Sequence, residues 1–242
     1  MEMITSLQNA KVKRWASYQK KKDRDKDGRF LVEGEHLIEE AARAGILETV
    51  ITDDPALLKD DHGVVVTPAI MHKLSMNVSS VHLIGVCRKI KEASVFGSRI
   101  LILDGVQDPG NLGTLIRTAV SFSFDCVVVS KDTVDLYNDK TIRSTQGAMF
   151  HIPVMRCDLF ETITALQKEG VMCIATSLEE SKTMKEIPSC ERMAFVLGNE
   201  GQGVHPEIQS LCDERVRIEM HGFESLNVAV AGGIIMYSYR KD

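Results

Sequence analysis

Arg99-Ile100-Leu101-Ile102-Leu103-Asp104-Gly105-Val106-Gln107-Asp108-Pro109-Gly110-Asn111-Leu112-Gly113-Thr114-Leu115-Ile116-Arg117 is the stretch from which the fold can be read. Ile100 to Leu103 are apolar without alternation, so the strand they predict is covered on both faces. Gly, Pro and Asn then make a turn, and a helix is predicted from Leu112. Asn111, just ahead of it, is placed as the N-cap. A doubly covered strand feeding a helix through a short turn is the unit of a parallel α/β sheet.

The pattern recurs downstream. Buried-type strands are predicted at 99–105, 125–130, 171–176, 194–199 and 215–220, with helices at 112–122, 158–169, 206–212 and 226–238. Ligands of such sheets bind beyond the carboxyl ends of the strands, so the turns that follow them are where chemistry is sought. Upstream the elements are shorter. A largely wet helix is predicted from Ser6 to Lys22, a strand at Phe30–Val32 and a helix through Glu35–Ala44 that Gly45 ends. Strands at 47–52, 63–67 and 81–87 follow, with short helices after Asp54-Pro55 and after Pro68. This makes a small α/β unit, and Lys89–Ser98 reads as the linker between it and the larger sheet. The expected domains are 1–95 and 96–242.

The chain has 242 residues, 44% hydrophobic and 26% charged, as in ordinary globular proteins. No apolar run reaches the roughly 18 residues that span a bilayer, and the N-terminus has no apolar signal core. A cytoplasmic protein is expected. The six cysteines form no CxxC pair, and the seven histidines form no HExxH or other pair at ligand spacing, so no metal site is expected. Net charge is −5, but residues 1–29 alone carry nine basic and four acidic groups. That run is either a footprint for phosphates or a solvated helix laced with salt bridges through Asp23, Asp25 and Asp27.

Two further turns stand out. Leu197-Gly198-Asn199-Glu200-Gly201-Gln202-Gly203-Val204 has three glycines that let backbone approach a ligand, but it is neither GxGxxG nor a P-loop. A nicotinamide dehydrogenase is excluded on that ground. Ile218-Glu219-Met220-His221-Gly222-Phe223-Glu224-Ser225-Leu226-Asn227 runs into a helix rich in Ala and Gly. Ser225 is placed as its N-cap, which leaves Asn227 unexplained. The small face of that helix requires something to pass close by. Taken singly, Asn111 reads as a cap and Arg117 as a surface ion-pair partner.

Together, 104–119 (DGVQDPGNLGTLIRTA), 197–204 (LGNEGQGV) and 218–231 (IEMHGFESLNVAVA) resemble the three motifs of the SpoU (TrmH-type) branch of the SPOUT RNA methyltransferases. Arg143–Ala148 is similar to a further S-x-G-A segment. Residues 4–42 resemble the small RNA-binding domain often fused ahead of the catalytic one. The resemblance covers nearly the whole chain. It implies a C-terminal α/β domain with a parallel sheet and a trefoil knot, preceded by a small α/β RNA-binding domain. It implies a homodimer that binds S-adenosylmethionine in the knot and methylates a ribose 2′-hydroxyl of structured RNA, ribosomal rather than transfer RNA.

Carried over position by position, Leu197, Gly198, Ile218, Met220 and Leu226 line the cofactor pocket. Arg117, Asn111, Glu200, Ser225 and Asn227 form the catalytic set. In it Arg117 positions the hydroxyl and an adjacent phosphate, Asn111 and Glu200 orient Arg117, and Ser225 and Asn227 order the third turn. Lys11, Lys13, Arg14, Lys20, Lys21 and Arg24 become the RNA-contacting edge. The chain departs from the family where I-P-M becomes Ile218-Glu219-Met220, and where Ala229 replaces a common serine. A non-catalytic RNA-binding factor that kept the fold is the alternative, and the intact polar set argues against it.

Overall fold

The structure, a computed structural model, describes residues 2–59, 63–76, 81–90, 96–220 and 225–241. The chain divides into two units, Met1–Lys91 with Tyr137–Phe150, and Glu92–Leu136 with His151–Asp242.

The first unit begins with β1 (Glu2–Ile4), α1 (Ala10–Ser17), α2 (Lys21–Asp27), β2 (Arg29–Glu33) and α3 (Glu35–Arg43). It continues with β3 (Leu47–Thr52), β4 (Val64–Val66), α4 (Pro68–Leu74) and β5 (Leu83–Arg88). The strands form one sheet of order β1-β4-β3-β5-β2, in which β1, β4 and β3 run parallel and β5 is antiparallel to both β3 and β2. Val12, Trp15, Leu31, Ile51, Ile70, Leu74 and Ile84 fill its core.

The helix expected over Ser6–Lys22 is two helices. Asn9 starts α1 by accepting from the Lys11 amide at 2.8 Å. The break follows from tertiary bonds that take the carbonyls a continuous helix would use. Buried Arg24 donates to the carbonyls of Tyr18 and Gln19 at 2.8 and 3.0 Å, and the Gln19 side chain donates through Nε2 to the Lys73 carbonyl at 3.0 Å. Strand β1 was not anticipated, because three residues of an edge strand leave no periodicity to read.

The second unit opens with β6 (Arg99–Leu103), α5 (Pro109–Ser121) and β7 (Cys126–Val129). The chain then adds α6 (Asp139–Thr145) to the first unit, where the Tyr137 ring packs 4.7 Å from Phe30 and its hydroxyl accepts from the Ile90 amide at 3.0 Å. Residues 137–150 are thus counted with the first unit although they follow the expected boundary at 95. Of the expected linker, residues 91–95 lie outside the described ones.

The second unit resumes with β8 (Val154–Arg156), α7 (Leu159–Lys168), β9 (Met172–Thr176) and β10 (Lys182–Thr183). It ends with β11 (Met193–Leu197), α8 (Pro206–Leu211), β12 (Glu214–Arg217) and α9 (Val228–Ser238). Its seven strands are all parallel, in the order β10-β12-β9-β11-β6-β7-β8. Every residue of β6, β7 and β11 is buried, as the unbroken apolar runs predict. Helix α9 lies on α5, and a methyl group on Gly232 would come 2.3 Å from Leu115 Cδ2. That approach explains the small residues of the last helix.

Arg99 ties the end of α9 to the start of the sheet: its Nε donates to the Tyr239 carbonyl at 2.8 Å and its Nη1 to the Glu191 carbonyl at 2.8 Å. Asp125 accepts from the amides of Ser98 and Arg99 at 2.6 and 2.8 Å and from Lys241 Nζ at 2.7 Å. Burial alone would raise the Asp125 pKa, but these donors hold it below the usual carboxylate value. Among the described residues, no helix is long and apolar enough to cross a membrane.

Candidate active site

The turns after β6 and β11 and the start of α9 meet through side-chain hydrogen bonds. Asp108, not Asn111, is the N-cap of α5, accepting from the Asn111 amide at 2.9 Å. Asn111 is thereby a helical residue whose side chain is released for other bonds. Its Nδ2 donates to Glu200 Oε1 at 3.0 Å, and its Oδ1 accepts from Asn227 Nδ2 at 3.0 Å. Glu200 also accepts from the amides of Gln107 and Asp108, both at 3.1 Å. Desolvation alone would raise the Glu200 pKa, but Asn111 and these amides hold it below the ordinary glutamate value. The carboxylate is therefore ionised at neutral pH.

Asn227 is the N-cap of α9, its Oδ1 accepting from Ala229 N at 2.9 Å and Val230 N at 3.2 Å. The cap expected of Ser225 belongs to Asn227, one residue before the helix. One amide thus caps α9 with its oxygen and holds Asn111 with its nitrogen.

The 198–204 loop is compact for a steric reason. Asn199 and Gly203 exchange backbone hydrogen bonds at 2.9 Å, and Gly203 takes a positive φ of 72°. A methyl group on Gly198 would lie 2.0 Å from the Gly203 carbonyl carbon, so only glycine fits. The Asn199 side chain anchors the loop to the β6 turn, donating to the Gly105 carbonyl at 2.8 Å and accepting from Gly201 N at 2.9 Å. Sequence reading passed over Asn199, because an asparagine in a Gly-rich loop carries no signal of a partner 94 positions away.

A cavity of about 550 Å³ opens beside this loop. Leu197, Gly198, Ile218, Met220 and Leu226, the five expected pocket residues, all line it, as do Glu200 and Ser225. Val228, Glu179, Gln209 and Arg217 are also part of the wall. Residues 218–220 were expected to extend the last strand, but β12 stops at Arg217, and Ile218 and Met220 face the cavity. His221–Glu224 of the third turn lie outside the described residues.

The SpoU rRNA methylase family matches residues 98–237, and an MRM3-like substrate-binding domain matches residues 9–85. The chain belongs to the SpoU rRNA methylase family. It is similar to a Bacillus subtilis protein named 23S rRNA (guanosine(2553)-2′-O)-methyltransferase RlmP, with 39% identity covering 99% of this chain and 100% of the other. A crystal structure of an S-adenosylmethionine-bound rRNA methyltransferase from Sinorhizobium meliloti superposes with a TM-score of 0.88, at 26% identity over 98% of this chain and 97% of the other. The crystal structure of an RNA 2′-O ribose methyltransferase gives a TM-score of 0.82 at 29% identity, covering 98% of this chain and 97% of the other.

The cavity of this SpoU methylase fits S-adenosylmethionine. Its volume falls within the roughly 300–1,000 Å³ of small-molecule sites, and its wall combines apolar side chains with loop backbone, two carboxylates and Arg217. Apolar surface suits an adenine face, while Glu179 and Glu200 suit a ligand that carries a sulfonium and an ammonium.

Arg117 stands apart from the bonds described above. It is exposed on α5, and among the described residues its guanidinium has no hydrogen-bond or ion-pair partner. Asn111 and Glu200 bond to each other rather than orient it.

The basic segment of the SpoU methylase is likewise unequal along its length. Lys11 pairs with Glu2 at 2.6 Å, Arg14 with Asp27 at 2.9 Å and Lys21 with Asp25 at 2.5 Å. The hydrogen bond from Arg14 holds Asp27 below the usual carboxylate value. Arg24, expected at the RNA edge, is 5% exposed and serves the α1–α2 junction instead. Lys13 and Lys20, together with Lys22 and Lys26, are exposed and have no ion pair among the described residues.

The cysteines are free thiols, and burial pushes Cys126 up to about 11 and Cys173 and Cys212 up to about 12. Those three thiols are held in the protonated, poorly nucleophilic form at neutral pH.

Proposed function

We propose that this SpoU methylase transfers a methyl group from S-adenosylmethionine to the ribose 2′-hydroxyl of one guanosine in 23S rRNA. RNA methyl transfer and the use of S-adenosylmethionine follow from family membership. The nucleotide is the finer reading, and the full-length 39% identity to the B. subtilis enzyme supports it. One observation carries the assignment of the site: the Asn227–Asn111–Glu200 hydrogen-bonded chain ends on a carboxylate in the cavity wall.

S-adenosylmethionine, held by Leu197, Gly198, Ile218, Met220 and Leu226, supplies a methyl already made electrophilic by its sulfonium. The chain's own residues then have two tasks, alignment of the hydroxyl and removal of its proton. The exposed, unpaired Arg117 guanidinium suits the first, because its fork of N–H donors matches a phosphate beside the target ribose. A group with a pKa above about 12 is a poor proton acceptor, so Arg117 is assigned positioning, with proton loss late. Asn111, Glu200 and Asn227 fix the turns around it, and Ser225 borders the cavity where the third turn enters α9.

Lys13 and Lys20, joined by Lys22 and Lys26, are the cations left free for RNA phosphates, whereas Lys11, Arg14 and Lys21 are already neutralised. A second copy of the chain is part of this reading: α9 has no charged residue, yet Val230 and Tyr237 on it are exposed, a surface that a homodimer would cover. The trefoil knot belongs to the same reading, with Gly232 as the place where close passage needs a small residue. The protein works in the cytoplasm, where its RNA is made.

The test maps ribose methylation on rRNA from cells with and without the gene, by resistance of the 3′ linkage to alkaline cleavage. One protected guanosine should disappear on deletion and return with wild type but not with Arg117→Ala. Calorimetry should show the Arg117→Ala protein binding S-adenosylmethionine nearly as tightly as wild type. Equal loss of binding and methylation would refute the positioning role, and an unchanged methylation map would refute the target.

A further inference from the structure

The 198–204 loop is tied to the β6 turn at three places, and one of them plays no part in the reading above. Asp104, which follows β6, is 3% exposed. Its Oδ2 accepts from the His205 backbone amide at 2.8 Å, and His205 Nδ1 lies 2.9 and 3.0 Å from its two oxygens. A buried carboxylate is tolerated only with a strong donor or a cation beside it. Among the described residues, the side chain that meets this need is His205.

His205 also occupies the N-cap of α8 but makes no side-chain bond to its own helix. Serine, threonine, aspartate and asparagine are the effective caps. An imidazole here forgoes capping and is turned back to Asp104, so its position serves the loop rather than the helix. The ring is 48% exposed. The charged groups that face it are Asp104 from the β6 turn, Asp132 from the segment after β7 and Glu207 from α8. The hydrogen bond to Asp104 and its charge, with smaller help from Asp132 and Glu207, raise the imidazole above its ordinary value against the effect of burial.

The other two ties do not titrate near neutrality. Asn199 is neutral, and Glu200 is held below the ordinary glutamate value. We propose that His205 is a positioning residue for methyl transfer: with Asp104 it anchors the exit of the 198–204 loop, and so sets the Gly198–Gly203 wall of the cofactor cavity and the reach of Glu200 to Asn111. This rests on the assignment of the cavity to S-adenosylmethionine. A raised histidine stabilises most fully below its unfolded value of about 6.5. The anchor therefore slackens as pH rises through the higher folded value.

The experiment uses the full chain as wild type, His205→Ala and His205→Asn, from about pH 5.5 to about pH 8.5 so as to bracket the imidazole titration. Calorimetry reads S-adenosylmethionine affinity, and hydrogen exchange without cofactor reads the amides of 199–204. Wild type should lose affinity as pH rises through the histidine titration. His205→Ala should bind about tenfold more weakly at the acid end, the loss of one charged hydrogen bond, with no pH step and faster exchange in the loop. His205→Asn offers a non-titrating N–H in place of Nδ1 and a good N-cap for α8. It should restore most of the affinity without restoring the step. Wild-type affinity and exchange in His205→Ala at every pH would overturn the proposal, and so would a pH step that survives in both variants. If wild type bound no S-adenosylmethionine while loop exchange still responded to His205, the cavity assignment would be at fault and the anchor would stand.

Discussion

Asn227 donates its Nδ2 to Asn111 Oδ1 at 3.0 Å while its own Oδ1 caps α9, so a single amide ties the last helix to the first turn of the methylase unit. The two bonds use opposite ends of the group, and substitution separates them. Asn227→Asp keeps the cap, and its charge suits a helix N-terminus, but it faces Asn111 Oδ1 with an acceptor. Its stability should stay within about 0.5 kcal/mol of wild type, while methyl transfer falls by about tenfold or more. Asn227→Ala loses the cap as well, which costs about 1 kcal/mol. Thermal melts beside single-turnover rates decide it; wild-type rates in Asn227→Asp would show that the cap was the whole of the role.

Glu200 gathers three N–H donors onto two carboxylate oxygens: Gln107 N on one, Asp108 N and Asn111 Nδ2 on the other. Glutamine has one acceptor, and its NH2 would oppose at least one of these donors. Glu200→Gln should destabilise the protein by about 1 kcal/mol, a figure discounted because the residue is exposed to solvent. The pH dependence has a definite sign. A carboxylate whose folded pKa is depressed contributes stability above its unfolded value, and loses it as pH falls through the folded one. The gap between wild type and Glu200→Gln should therefore be full at neutral pH and close in acid. Urea midpoints measured across the acid range check it, and a gap that widened in acid would contradict the assignment.

The parallel sheet was legible because Ile100–Leu103, Cys126–Val129 and Met193–Leu197 are short apolar runs between turns, and burial on both faces leaves that mark in sequence. Less visible were elements defined by partners far along the chain. The break at Tyr18–Lys20 depends on Arg24 and on a carbonyl of α4, and α6 is counted with the first unit because of contacts such as Tyr137 on Phe30. Within the candidate site, the three turns supplied the residues that line the cavity and form the Asn227–Asn111–Glu200 chain, but two caps shifted by a few positions. Asp108 and Asn227 are the caps where Asn111 and Ser225 were expected, since Asn, Asp and Ser all cap well and spacing alone does not choose among them. The Asp104–His205 pair left no sequence signal, since its members stand 101 positions apart.

Gly198 and Gly232 should respond unequally to the same substitution. A methyl at Gly198 would meet backbone, with the Gly203 carbonyl carbon at 2.0 Å and Val204 N at 2.1 Å. At Gly232 the nearest atom, at 2.3 Å, is Leu115 Cδ2, the end of a side chain that can rotate. Gly198→Ala should therefore displace the 198–204 loop, with the roughly 1–3 kcal/mol cost of overpacking and severe loss of S-adenosylmethionine binding. Gly232→Ala should lose stability but bind the cofactor with near wild-type affinity. Calorimetric titration of both variants checks the order, and a reversal would mean that the cavity wall is not built on the Gly198–Gly203 contact.

The basic segment yields a prediction about salt rather than about affinity alone. Each phosphate contact releases condensed counterions, so the slope of log K against log salt counts contacts, at about 0.9 per contact on duplex and about 0.7 on single strands. Lys13, Lys20, Lys22 and Lys26 have no ion pair among the described residues, and Lys22 and Lys26 stand one turn apart on α2. Lys11 is neutralised by Glu2. Replacing the four unpaired lysines with glutamine should reduce the slope for rRNA binding by about 3. Replacing Lys11 and Glu2 together with glutamine leaves net charge unchanged and removes an exposed pair worth at most about 1 kcal/mol, so the slope should not move. Filter binding over a salt series reads both variants. If the paired substitution lowers the slope as much as the fourfold one, Lys11 exchanges Glu2 for a phosphate when RNA binds, and the ion pairs of the free protein do not mark out its footprint.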